Sequence, residues 1–178
     1  MEEMKKYLAE AVGTMLLVVF GCGVAVATGC IGNDGIVATA LAFGLVIVAL
    51  AYSIGNVSGC HVNPAVSLAM YIINKKITLR EFLGYVIGQV IGAIVGAAVV
   101  GLLFGSFTNL GGNAVQSGLI TAYGDGGALA VGLIVEIVLS FAFVLAILGV
   151  TSKTENKAVT GVVIGLSLTL VHLLGIRL

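Results

Sequence analysis

The chain has 178 residues, of which 60% are hydrophobic and only 9% charged, and its net charge is zero. A soluble domain carries roughly a quarter charged residues, so the composition excludes an ordinary water-solvated globule. Without a basic excess, it also gives no support to nucleic-acid binding. Cys22, Cys30 and Cys60 are odd in number and lack a CxxC spacing. Small apolar fillers explain Cys22 and Cys30 better than a disulfide framework does.

The first apolar segment, residues 7–28, follows Lys5 and Lys6. It is too long for a signal peptide and Glu10 interrupts it, so it reads as a retained span. A second span covers 35–55. Residues 55–62 read as non-helical backbone leading to Asn63-Pro64-Ala65, which holds the only proline of the chain. Asparagine is a good helix N-cap and proline suits the first helical position. A short helix therefore opens at Asn63. Its apolar run, 63–73, falls well below the ~20 residues a bilayer crossing needs and reads as a re-entrant half-helix over 63–74. The third span, 81–105, has Gly84, Gly88, Gly92 and Gly96 on one face, a stripe that permits close helix approach. A long connection precedes the fourth span at 128–150, and the fifth covers 157–176. The expected fold is an all-α polytopic membrane protein with five spans and one re-entrant half-helix.

Charge placement predicts orientation. With a cytoplasmic N-terminus, Lys5, Lys6, Lys75, Lys76, Arg80, Lys153 and Lys157 all fall inside, while 29–33 and 106–127 carry no Lys or Arg. Only Arg177 departs from the rule. The half-helix then enters from the cytoplasmic side and returns to it, in a multi-pass protein of the cell membrane.

Two stretches echo each other. Ala9-Glu10 with Gly13-Thr14 in span one parallels Val135-Glu136 with Leu139-Ser140 in span four. Leu41-Ala42-Phe43-Gly44 in span two parallels Val163-Ile164-Gly165-Leu166 in span five. Three spans separate the units, so they have opposite orientation, as in inverted-repeat transport proteins. This divides one membrane domain into a first repeat at 1–105, an external connection at 106–127 and an incomplete second repeat at 128–178.

The chemistry concentrates around Asn63. Non-helical backbone at membrane depth must pack in protein or line a wet cavity. The carbonyls of Gly59, Cys60 and His61 would form a ladder of acceptors, and the half-helix N-terminus adds partial positive charge. Such a site passes a small neutral polar solute and repels cations. Glu10 and Glu136 allow two readings: a proton-coupling pair, or scaffold carboxylates that accept hydrogen bonds from loop backbone. No nucleophile–base pair or metal-ligand cluster stands in the sequence, so neither an enzyme nor a cofactor is expected.

The signature Ser58-Gly59-Cys60-His61-Val62-Asn63-Pro64-Ala65-Val66 resembles the first signature loop of the aquaporins, the major intrinsic proteins. The resemblance extends along the chain: Glu10 with Gly13-Thr14, Leu41-Ala42-Phe43-Gly44, Gly84-Tyr85 through Gln89, Glu136, and Leu170-Val171-His172-Leu173. It implies a passive channel for water or glycerol that excludes protons and ions. It also implies six spans, two facing half-helices and a homotetramer with one pore per subunit. Phe43 and His172 match the filter positions of water-selective members, where a bulky ring narrows the passage and an imidazole donates to water. Glu10 and Glu136 match scaffold positions. Counting on from Gly175 by the interval between Gly55 and Asn63 passes Leu178, so the second Asn-Pro-Ala loop, its arginine and the sixth span are expected outside this sequence. Arg177-Leu178 also stand where the family usually has proline. The alternatives to a water channel are a glycerol or small-solute facilitator, and a non-conducting fragment that co-assembles with intact subunits.

Overall fold

The computed structural model describes residues 1–152 and 158–178. Lys153 and Lys157, which the orientation argument used, lie outside the described residues. Among those described, the secondary structure is entirely helical: α1 (Glu2–Thr28), α2 (Gly32–Ser53), α3 (Gly55–Ser58), α4 (Pro64–Ile72), α5 (Leu79–Phe104), α6 (Ser117–Thr151) and α7 (Thr160–Gly175). Helices α1, α2, α5 and α6 are long and apolar enough to cross a membrane. Their exposed leucines, isoleucines and valines suit a lipid solvent.

Three boundaries differ from the sequence reading. Residues 55–58 form a single helical turn, capped by Gly59 in the left-handed region, so the non-helical stretch shortens to 59–63. The connection expected to run to residue 127 becomes helical at Ser117. The glycine-rich 124–127 stretch suggests a loop, yet only Gly124 leaves helical backbone angles (φ 69, ψ 171). Gly124 thus breaks the helical path at a sharp kink, with a short helical segment (117–123) before it and the long span (125–151) after it. The fifth span, expected over 157–176, is a described helix of 16 residues, about 24 Å long at 1.5 Å per residue.

Local signals set the other ends. Thr78 and Glu81 form a reciprocal capping box that starts α5. In α1, residues Val18–Cys22 form a π-helical turn, in which the Gly23 N–H reaches back to the Val18 carbonyl.

Glycines decide which helices touch. Along α5, a methyl group on Gly88 would lie 2.7 Å from the Tyr7 carbonyl oxygen, and one on Gly92 would lie 2.8 Å from the Ala11 carbonyl carbon. The stripe read from the sequence therefore packs within the chain, against α1. The second such seam joins α2 to α7, where a methyl on either Gly44 or Gly165 would come within 2.5 Å of the other's carbonyl oxygen. Half-helix α4 rests on α6 through Val66, Met70, Phe143 and Ile147.

Polar contacts gather the basic residues at one end. Lys6 donates to Glu81 at 2.6 Å, Arg80 pairs with Glu3 at 3.4 Å, and Lys76 donates to the Thr151 carbonyl at 3.0 Å. At the opposite end Arg177 donates to Asn33, and the Gln116 N–H donates to the Leu178 carbonyl at 3.2 Å.

Candidate functional site

Residues 59–62 do not follow any regular path. Gly59 (φ 91), Cys60 (φ 53) and Val62 (φ 42) all lie in the left-handed region. That conformation is costly for a residue with a side chain, most of all for β-branched valine. The Glu10 carboxylate offsets it. Its Oε1 accepts from the Ser58 hydroxyl at 2.6 Å and the His61 N–H at 2.9 Å. Its Oε2 accepts from the Val62 N–H at 2.6 Å and the Gln89 amide at 2.7 Å. Four donors on one buried carboxylate make strong, charge-assisted bonds, and they satisfy an acidic group that would be expensive to leave bare at membrane depth.

A second shell closes around these bonds. Tyr85 donates to the Ser58 carbonyl at 2.5 Å, and the Ser58 hydroxyl accepts from the Cys60 N–H at 3.1 Å. The Gln89 amide also donates to the Ser67 hydroxyl at 3.0 Å, which stands 3.2 Å from His61 Nδ1. The His61 ring meets Tyr85 edge-on, with centroids 5.1 Å apart. Glu10 and Ser67 are 0% exposed, and Tyr85 and Gln89 are 1% exposed. Helices α1, α4 and α5 are thus locked onto one loop. Sequence reasoning singled out Glu10 but assigned no role to Ser58, Ser67, Tyr85 or Gln89. The available signal was Gln89, a polar side chain in an apolar span, one helical turn from Tyr85.

Asn63 caps α4 as expected: its Oδ1 accepts from the Ala65 N–H at 2.8 Å and the Val66 N–H at 3.3 Å, with Pro64 at the first helical position. With Oδ1 so occupied, the Nδ2 amide is left to donate. Asn63 lines a cavity of ≈ 690 Å³, shared with Phe43, Glu136 and His172. Gly59, Cys60 and His61 are not on its wall. Their carbonyl oxygens accept no protein hydrogen bond among the described residues, while the Cys60 and His61 N–H groups are taken up inside.

Phe43 and His172 come from α2 and α7 and stack, with ring centroids 4.2 Å apart and planes 22° apart. His172 Nδ1 lies 2.9 Å from the Leu168 carbonyl. A carbonyl only accepts, so Nδ1 carries a proton, and in a neutral ring Nε2 is then the acceptor. A backbone oxygen one turn earlier in α7 sets this tautomer.

Glu136 departs from its counterpart. It is exposed on the cavity wall and makes no side-chain hydrogen bond among the described residues. Among the described residues, the loop backbone that surrounds Glu10 has no equivalent there.

A family model described as "Major intrinsic protein" matches residues 1–178.

Proposed function

We propose, from the premise that this chain belongs to the major intrinsic protein family and is a membrane channel protein for water or small solutes, that its permeant is water. The observation that carries this reading is the Phe43–His172 stack, which faces the same cavity as the Asn63 amide. The phenyl ring removes the width that a carbon chain would need. His172 Nε2 and Asn63 Nδ2 supply one acceptor and one donor, enough to exchange hydrogen bonds with a small neutral solute. The N-terminus of α4 supplies partial positive charge that disfavours protons and other cations. In this reading Phe43 and His172 are filter residues, Asn63-Pro64-Ala65 forms the inner site, and Glu10 is the scaffold of the signature loop. The carbonyls of Gly59, Cys60 and His61 line the approach.

The same reading takes α1–α5 and α6–α7 as inverted repeat units, divided by the connection between Phe104 and Ser117. It places the N-terminus and the basic end in the cytoplasm of a plasma-membrane protein, assembled as a homotetramer. Flow is passive and follows the osmotic gradient in either direction.

A second reading is favoured by the cavity itself. At ≈ 690 Å³ it far exceeds the ≈ 30 Å³ that one water takes in the liquid, and the Glu136 carboxylate on its wall makes no hydrogen bond among the described residues. Such a cavity accepts a further membrane segment that brings donors to Glu136, and without one this chain would co-assemble but not conduct.

Stopped-flow osmotic shrinkage of proteoliposomes carrying the 178-residue chain decides between them. Water permeability well above empty liposomes, with a glycerol gradient barely relaxing, is the expected result for a water passage. Rapid glycerol relaxation would replace water with small polyols as the permeant class. Permeability equal to empty liposomes would leave the co-assembly reading.

A further inference from the structure

The reading above gives α1 a role only through Glu10, yet α1 also carries the one π-helical turn among the described residues, Val18–Cys22. Such turns are rare and concentrate where a helix is asked to do something besides pack. Within it, Phe20 points outward at 54% exposure, whereas Gly21 is buried. A methyl group on Gly21 would sit 2.7 Å from Phe43 Cζ and closer still to Cε1. Carbon atoms in contact rest at about 3.5–4.0 Å, so the ring would have to move by roughly an ångström.

It has little freedom to do so through the backbone. Its neighbour Gly44 is held against α7, where a methyl on Gly44 would meet the Gly165 carbonyl oxygen at 2.5 Å. The Phe43 side chain is therefore set between two fixed elements, the π-turn of α1 and the His172 ring of α7, 4.2 Å away. The turn is itself held by a second contact. Gly111, in the connection after α5, approaches so closely that a methyl there would lie 2.6 Å from the Cys22 carbonyl oxygen.

We infer that Gly21, carried on the π-turn of α1, is a positioning residue for the Phe43 ring and so sets the width of the passage beside His172. This rests on the reading of the cavity as a passage. It assigns specificity to a helix that contributes no side chain to the filter. Any side chain at position 21 pushes the phenyl ring out of its present stack.

The test uses the full chain in lipid nanodiscs, with histidine side chains isotopically labelled. The chain has two histidines, so His61 serves as an internal control. The stacked phenyl imposes a ring-current shift on the His172 imidazole, which Phe43→Leu abolishes. Gly21→Ala is expected to move the His172 resonances toward their positions in Phe43→Leu and to leave those of His61 in place. Unmoved His172 resonances, or equal movement of both histidines, overturn the inference. If Gly21→Ala fails to fold, the double variant Gly21→Ala/Phe43→Val decides: recovery of folding supports the steric coupling, and continued failure overturns it. Where the wild-type chain conducts water, Gly21→Ala should lower permeability several-fold, and Phe43→Leu in that background should restore it. A drop that Phe43→Leu does not rescue counts against the inference. The spectroscopic arm needs no flux, so a silent wild-type chain sinks the water reading without touching the positioning result.

Discussion

At the scale of single residues, Glu10 and Glu136 hold equivalent places in the sequence echo but have opposite surroundings. Glu10 satisfies two backbone N–H groups, a hydroxyl and an amide. Glu10→Ala leaves the buried His61 and Val62 N–H groups unpaired, each at about 1–3 kcal/mol. We expect it to lower the apparent unfolding midpoint in detergent sharply. Glu136→Ala, with no hydrogen bond to lose, should stay within about 0.5 kcal/mol of wild type. Equal losses in the two variants would mean that Glu136 has a partner in the folded protein. Asn63 supports a different expectation. Asn63→Asp keeps the helix cap but replaces the amide donor on the cavity wall with negative charge. Sodium or proton flux into liposomes should then rise above wild type, and an unchanged flux would remove the Asn63 amide from cation exclusion. The cap and the intramembrane carboxylate were legible in the sequence because each residue type has few ways to be satisfied in lipid. The His172 tautomer was not, because it depends on where one carbonyl oxygen points.

At the scale of elements, the long helices were legible from apolar runs, since a bilayer demands them whatever else the chain does. Their contacts were partly legible. The stripe at Gly84, Gly88, Gly92 and Gly96 announces a close seam, but not that the seam is with α1. A direct test is Gly92→Val. Its side chain would fall on the Ala11 backbone, which cannot rotate away, and overpacking of this kind costs about 1–3 kcal/mol or more. We expect loss of the monodisperse peak in size-exclusion chromatography. Gly112→Ala, where a methyl meets open space, should elute as wild type. Identical profiles for both variants would show that α1 and α5 can separate without penalty. The π-turn was not legible at all: Val18-Val19-Phe20-Gly21-Cys22 contains no proline and only one glycine, and its extra residue is stabilised by tertiary packing. The early start of α6 was hidden by the glycines at 124, 126 and 127, of which Gly126 and Gly127 are helical.

At the scale of the whole molecule, the basic residues at one end are tied to three helices and a loop. This allows orientation to be tested by accessibility. In intact cells, a membrane-impermeant thiol reagent should label Asn113→Cys and spare Lys75→Cys, each in a background with the native cysteines replaced. The reverse pattern would invert the protein. The network around Glu10 also has a consequence in time. Its donors come 48, 51, 52 and 79 residues later in the chain. When α1 leaves the ribosome, none of them exists. An acidic side chain in the apolar part of a lone helix costs up to about 3 kcal/mol to place in the bilayer, and that cost stands until Gln89 has been synthesised. The first helix should therefore linger beside the insertion machinery and enter the lipid together with α5, as a pair closed around one shared acidic side chain.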